Sequence, residues 1–331
     1  MKKNFLKLLL TLINIVYCVS GFAGNKDIVV IESYNKNFKW DIDYCSALKE
    51  RLEKKYNLIF FEMDTKRIPK SKHEKMALNA WELVKKIKPL IVILGDDAAL
   101  KFLGPKLEEH KIRSVYLGIN NNPRVYFKNS PKYITGVLER PLIKNSAIFV
   151  KDLIPKTKKV LIMFDNDRTS EIVFEDFFTK KSTVMFSGIQ YDFLLIKNFS
   201  EWQDHMIKAT GTYDAIIIGL YQALVDETGK NIDAEKVIYW SSHNTKVPLF
   251  AFWDFAVGKN KTLGGLVLTG YAQGKAAAEI TEKLAENPSL IPNEIFPIYL
   301  QEGIFLFSNH ELSKYNLTLP DIIKKESKFV D

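Results

Sequence analysis

Cysteine is almost missing: only Cys18 and Cys45 occur in 331 residues. Cys18 falls in an amino-terminal segment that reads as a removable leader, so one thiol remains and no intramolecular disulfide can form. A disulfide-stapled framework is thereby excluded, and a packed core must hold the fold. Glycine (16) and proline (12) are scarce beside 47% hydrophobic residues, which excludes collagen-like and disordered chains. Histidine is scarce as well, with His73, His110, His205, His243 and His310 isolated and no H-x-x-x-H pair among them. There is no G-x-S-x-G elbow, no P-loop and no dinucleotide glycine fingerprint. Repeats and low-complexity segments are also absent. The signatures of common hydrolases, nucleotide enzymes and zinc sites are therefore lacking, and neither a catalytic residue, a metal nor a cofactor is expected. Paired carboxylates do occur in Asp41-Ile42-Asp43, Asp96-Asp97 and Asp165-Asn166-Asp167. The last has the Asp-x-Asp form by which metal-dependent sugar transferases hold a divalent ion, and it supplies the enzymatic alternative, although oxygen ligands this common are a weak signal.

What is present begins with MKKNFLKLLLTLINIVYCVSGFA. Lys2, Lys3 and Lys7 give it a basic start, an apolar run extends from Phe5 to Val19, and the small residues Gly21 and Ala23 follow. This is the pattern of a secretory signal peptide over residues 1–23, cleaved after Ala23. The alternatives are a retained membrane anchor, since the run is close to spanning length, and a lipid-modified Cys18, against which the bulky Tyr17 speaks. The mature chain is expected to be periplasmic or secreted, a free monomeric subunit beginning at Gly24. The leader carries three lysines and no acid, so its loss lowers the formal charge from +8 to +5. The remaining bases stand beside acids, as in ERLEKKY and KLEEHK, which is how solvated helix faces read; nucleic acid is not an expected partner.

Short apolar runs recur with helical stretches between them: DIVVIES, NLIFFEM, PLIVILG and SVYLGIN, then KVLIMFD, YDFLLIK, AIIIGL and PLFAFW. Both faces of such runs are apolar, as parallel strands covered by helices require. Residues 41–55 place Ile42, Cys45, Leu48 and Leu52 on one helical stripe, and residues 71–87 do so with Ala77, Ala80, Val84 and Ile87. A later helix from Tyr271 to Glu286 carries Ala272, Ala276, Ile280 and Leu284 on one side, which reads as close packing. The alternation predicts an α/β fold of two Rossmann-like lobes with parallel sheets. Four strands, an interruption at YITGVLERPLIKNSAIF and a restart at Lys159 put the lobe boundary near residues 138–145, with lobes over 24–140 and 141–267.

Polar residues gather where the strands stop: Ser33-Tyr34, Asp64-Thr65-Lys66-Arg67, Gly95-Asp96-Asp97 and Gly118-Ile119-Asn120 in the first half, then Asp165-Asn166-Asp167-Arg168, Leu220-Tyr221 and Trp253-Asp254. In open parallel sheets the carboxyl edge is where ligands bind, because helix amino termini and loops converge there. The competing reading is that Asp, Asn, Ser and Thr at such positions cap the next helix. Capping is the better reading of any one cluster alone; at Trp253-Asp254 the large aromatic beside the acid favours a site.

The stretches IESYNKNFKW, EMDTKRIP, ILGDDAALKFL, YLGINN and TGVLE, followed by LGGLVLTGYAQGKAAAEITEKL and FSNHELSKYNLTLP, resemble successive signatures of the bacterial ABC-transporter substrate-binding family, in the branch also found as extracytoplasmic sensor domains of histidine kinases. The resemblance spans residues 27 to about 322. It implies a type I periplasmic-binding-protein fold, in which two lobes joined by a three-crossing hinge close on a small solute. The first lobe is then completed by about 268–292 and the second by 293–331. The chain departs from the pattern in having only FAVGKNKTLGG before its glycine pair, where relatives carry a longer glycine-rich loop; this bears on the identity of the ligand.

In such a cleft Tyr34, Trp40, Tyr221, Trp253 and Tyr271 supply flat surfaces. Core packing is the competing reading for the aromatics, adopted outright for Trp81. The acids Asp64, Asp97 and Asp254 suit an ammonium group, Arg67, Arg168 or backbone N–H groups a carboxylate, and Ser33, Thr65, Asp96, Asn120, Asp165 and Asn166 are further candidate ligand-binding residues. The set suits an amino-acid-like or cationic solute; a sugar stacked on tryptophan is the alternative. The expected function is capture of a small polar solute for an ABC permease, with a membrane receptor or histidine kinase as the alternative partner.

Overall fold

The computed structural model describes residues 25–300 and 303–331, so the expected leader over residues 1–23 lies outside the described residues. The first half runs β1 (Asp27–Glu32), α1 (Lys39–Leu52), β2 (Asn57–Glu62), α2 (His73–Ile87), β3 (Ile91–Gly95), α3 (Asp96–Glu109), β4 (Ser114–Ile119) and β5 (Ile134–Leu138). The second half begins with α4 (Ile143–Leu153), β6 (Lys159–Asp165), α5 (Arg168–Phe177), β7 (Thr183–Phe186), β8 (Ile189–Ile196), α6 (Phe199–Lys208), β9 (Ala215–Ile218), α7 (Ala234–Asn244), β10 (Leu249–Ala251) and β11 (Gly264–Val267). It ends with α8 (Gly270–Glu286), β12 (Ile298–Tyr299), β13 (Ile304–Phe307), α9 (Asn309–Lys314), α10 (Asp321–Glu326) and β14 (Lys328–Phe329).

The strands form two sheets. The first has the order β12-β5-β4-β3-β1-β2 with every neighbouring pair parallel. The second has the order β14-β13-β11-β10-β9-β6-β8-β7. Its middle five strands are parallel, while β13 and β7 run antiparallel to β11 and β8. Apolar periodicity showed neither of these antiparallel strands, nor β5, β11, β12 and β14. Each parallel core repeats the doubly wound order in which the first strand lies between the second and third, so each has a switch point at the carboxyl ends of its first and third strands, β1 and β3 in one sheet and β6 and β9 in the other. The central strands are buried on both faces: Ile28 to Ile31, Ile91 to Leu94 and Val160 to Phe164.

The chain passes between the sheets three times: after β5, after β11 into α8, and between β12 and β13. α8 returns to the first lobe, where it packs on α1 and against β3, β4 and β5. A Cβ on Gly270 or Gly274 would overlap the backbone of Trp40 or Tyr44. These glycines, with the buried Ala276, Ala277 and Ala278, let the two helices lie close together. One stripe expectation fails: Ile42 is exposed, and α1 turns Trp40, Tyr44, Leu48 and Leu52 inward instead. The large rings at positions 40 and 44 take the buried face and rotate Ile42 outward.

Candidate functional site

The carboxyl ends of the two sheets face each other across a cavity. Tyr34, Phe38, Trp40, Lys66, Asp96, Asn120 and Glu139 line it from the first lobe, and Thr169, Leu220, Trp253 and Phe255 from the second. Each lobe contributes from its switch point: Tyr34 follows β1, Asp96 follows β3, Leu220 follows β9 and Thr169 opens the helix after β6. The enclosed space is about 20 Å³, close to what one water molecule occupies. A larger space of about 320 Å³ adjoins it, sharing Phe38, Lys66 and Phe255 and adding Arg67, Tyr221, Gln222, Asn231, Asp233 and Glu235. Phe38 and Phe255, one from each lobe, meet at 5.8 Å between ring centroids and close the inner space on that side.

Three polar groups of the inner cavity, Asp96, Asn120 and Glu139, are almost wholly removed from water. Glu139 Oε1 accepts a 2.6 Å hydrogen bond from Trp253 Nε1, and its Oε2 accepts one from Asn120 Nδ2 at 3.1 Å. Burial, reinforced by the charge of Asp96, pushes the Glu139 carboxyl up to about 8. Asp96 sits at φ 74°, in the left-handed region open to aspartate, and accepts from the Asp97 N–H at 2.9 Å. Burial and neighbouring Asp97 push its carboxyl up to about 7, against the lowering influence of Lys66. Trp40 Nε1 and Asn120 Oδ1 are buried with no hydrogen-bond partner among the described residues. These groups converge. A methyl group built on Gly118, at φ 69°, would meet Trp40 Nε1 at 3.4 Å, Asp96 Oδ2 at 3.5 Å and Glu139 Oε2 at 3.6 Å. One unpaired donor and two carboxylates thus surround a single point that only a glycine leaves open.

Lys66 Nζ lies 4.0 Å from the Tyr34 ring centroid and 4.2 Å from that of Phe38, while these two rings meet edge to face at 5.2 Å. Trp253 and Phe255 stack at an interplanar angle of 14° on the opposite wall. The site is therefore an aromatic box with two acids at its floor and one ammonium at its edge.

Of the residues singled out by sequence, Tyr34, Trp40, Asp96, Asn120 and Trp253 come together on the inner cavity, and Arg67 and Tyr221 line the outer space. The others are placed elsewhere, in hydrogen bonds and ion pairs that mostly tie the loops after the strands, and neither α3 nor α5 has its start capped by the side chain of the preceding residue, which the competing reading expected. The Ser33 hydroxyl donates to Gly95 O and accepts from Ala99 N, and Thr65 Oγ1 donates to Ser33 O. Asp64 holds Asn35 and Arg67. Asp97 accepts from Asn120 N, Asn121 N and Tyr126 Oη and so shapes the loop after β4. Asp165 accepts from Ser170 Oγ, Ala223 N and Asp167 N. Asn166 is exposed, and Arg168 pairs with Glu171 and Glu175 on its own helix. Asp254 and Tyr271 face a separate groove, where Asp254 pairs with Lys39 at 3.4 Å and the Tyr271 hydroxyl donates to Glu50.

Sequence reasoning passed over Phe38, Glu139, Thr169 and Phe255, and took Lys66 only as a member of the polar cluster after β2, without a role of its own. Glu139 was within reach, because it follows β5 just as the other polar clusters follow their strands; the break in periodicity there hid the strand end. Among the described residues no group of three His, Cys, Asp or Glu side chains is placed to hold a metal ion, and no helix is long and apolar enough to cross a membrane.

No protein-family model matches the chain, and no curated protein matches it. Solved structures do. The ABC domain in complex with L-Trp from Streptococcus pneumonia is 15% identical with a TM-score of 0.65, the match covering 92% of this chain and 100% of that one. The ligand-free, open structure of a substrate-binding protein with adhesive properties from Clostridium difficile is 13% identical with a TM-score of 0.66, covering 92% and 99%. A periplasmic binding protein/LacI transcriptional regulator from Alkaliphilus metalliredigens, complexed with D-xylulofuranose, is 13% identical with a TM-score of 0.52, covering 84% and 96%. At these identities the likeness is one of fold: the chain has the type I periplasmic-binding-protein fold.

Proposed function

We propose that this protein is an extracytoplasmic solute-binding protein that captures a small amine-bearing solute, amino-acid-like in size, between its lobes and delivers it to an ABC importer. The observation that carries the reading is the inner cavity, in which two buried carboxylates, Asp96 and Glu139, face rings from both lobes and the Trp253 indole reaches across to Glu139. An ammonium group entering there meets acids held near neutrality by burial; its charge favours their ionised forms, and the rings shield the pair from water. Since both lobes contribute, the solute binds the closed arrangement better than the open one, which is the condition for ligand-driven closure. The neighbours that share the fold include an ABC domain holding L-Trp and a protein holding D-xylulofuranose, small polar solutes in both cases.

The test is a thermal-shift screen of the mature protein against amines, amino acids, purines, sugars and short peptides, followed by small-angle scattering with any hit. A true ligand at about a hundred times its dissociation constant stabilises the protein by roughly 2.7 kcal/mol and reduces its radius of gyration. If no class of solute raises the melting temperature, the solute-binding reading fails.

A further inference from the structure

Resting on the solute-binding reading, we infer that Lys66 is a built-in stand-in for the solute's cationic group, and that the solute which replaces it is an organic cation without a carboxylate. The Lys66 ammonium sits 4.0 Å and 4.2 Å from the Tyr34 and Phe38 ring centroids, inside the roughly 6 Å at which rings attract a cation. It is half-buried, yet among the described residues no carboxylate lies within ion-pair distance of it, so rings are its close partners. An ammonium held this way is displaced more readily than one locked in a salt bridge. A place to go adjoins it, because Lys66 also lines the outer space, where Asp233 and Glu235 stand.

Charge and geometry exclude a carboxylate from the same position. Asp96 and Glu139 are the acids of the inner cavity, Lys66 is its base, and the lining contains no arginine. The buried donor without a partner, Trp40 Nε1, points to the spot above Gly118 that Asp96 Oδ2 and Glu139 Oε2 also approach. A solute carboxylate seeking that donor meets two others, whereas an ammonium or methylated ammonium meets charge of the opposite sign and the faces of the box. With about 20 Å³ inside and about 320 Å³ adjoining, the cationic head enters and the body of the solute extends outward past Phe38 and Phe255.

The experiment is isothermal titration calorimetry of the mature chain, wild type and Lys66→Met, with three probe pairs that differ in a carboxylate: tyramine and L-tyrosine, agmatine and L-arginine, choline and glycine betaine. At least one cationic member is expected to bind the wild type, its carboxylate partner at least tenfold more weakly, and Lys66→Met is expected to tighten the cation by about tenfold. Asp96→Asn is expected to abolish binding while the melting curve shows a folded protein. Lys66→Gln replaces the methionine variant if that one melts early. Tighter binding of the carboxylate-bearing member, weakened by Lys66→Met, would make Lys66 a carboxylate anchor and overturn the inference while leaving solute binding intact. Binding of none of the six probes to either protein also overturns it, and the wider thermal-shift screen then decides the solute-binding reading separately.

Discussion

Trp253 Nε1, from the loop that follows β10 in the second lobe, donates a 2.6 Å hydrogen bond to Glu139 Oε1 at the end of β5 in the first. Both residues are buried, so the bond is a fastening between lobes made out of reach of water. Trp253→Phe keeps a ring on the cavity wall and removes the donor. A lost hydrogen bond of this kind costs roughly 0.5–1.5 kcal/mol, which falls on the closed arrangement alone. The variant is expected to show a larger radius of gyration without ligand, an unchanged circular dichroism spectrum and weaker solute binding. An unchanged radius would mean that other contacts hold the lobes together.

Acidity at the cavity sets a pH dependence opposite to the common one. Glu139 is pushed up to about 8, and Asp96 and Glu32 to about 7, from ordinary values of 4.5, 3.8 and 4.5, with burial the largest cause in each. A carboxyl whose folded pKa lies above its unfolded value binds its proton more tightly in the folded state. Its contribution is therefore complete below the unfolded pKa and is lost as pH rises through the folded one. The ligand-free melting temperature is expected to fall between about pH 5 and about pH 8 as these groups ionise, and Glu139→Gln is expected to flatten that slope in part, leaving the share due to Asp96, Glu32 and the other buried acids, among them Asp254, whose carboxyl is also pushed up to about 7 by burial. Melting curves at four pH values in this range decide it; a temperature that rises with pH would show that the acids are stabilised as anions.

The α1–α8 contact rests on the missing side chain of Gly274, where a Cβ would overlap the backbone of Tyr44. Backbone cannot step aside as a flexible side chain can. Gly274→Val is expected to force the helices apart and to lower the melting temperature by about 5 °C or more, since overpacking costs typically 1–3 kcal/mol and each kcal/mol shifts a chain of this order of size by roughly 2–4 °C. A neutral outcome would show that the first lobe can repack around α8.

Much of the fold was legible because both faces of its central strands are buried: runs such as IVILG leave no polar alternation to misread. The antiparallel strands β7 and β13 were not, being short and set at or beside the edges of the second sheet, where half-exposed residues blur the pattern. The candidate site was legible as a place, since strand ends in a parallel sheet converge. It was less legible as a set of residues. Asp96 and Asp97 look alike in sequence, yet the left-handed backbone at Asp96 turns one carboxylate to the cavity while its neighbour is claimed by two backbone N–H groups and a tyrosine hydroxyl. Phe38 and Phe255 carry no signal of their own in the sequence, and only the meeting of the lobes makes them a wall of the cavity.

That contrast gives the last prediction. Asp97 and Asp254 carry carboxylates at strand ends but do not line the inner cavity, whereas Asp96 does. Asp97→Ala leaves Asn120 N, Asn121 N and Tyr126 Oη without their acceptor. Each buried group left unpaired costs roughly 1–3 kcal/mol, so a drop of several degrees in the ligand-free melting temperature is expected. Asp254→Asn removes the charge that meets Lys39 across the lobes at 3.4 Å. Burial pushes the Asp254 carboxyl up to about 7 against the pull of the half-exposed Lys39, so relief of a buried acid offsets the lost pair and stability is expected to change little; solute binding should weaken by a few-fold at most, through closure. Asp96→Asn relieves a buried acid of its charge, so its ligand-free melting temperature is expected to stay level or rise while solute binding is lost. Melting curves with and without solute for the three variants separate these outcomes. If Asp97→Ala or Asp254→Asn abolishes binding at unchanged stability, the ligand lies nearer to those carboxylates than to Asp96, and the cavity described here is not the site.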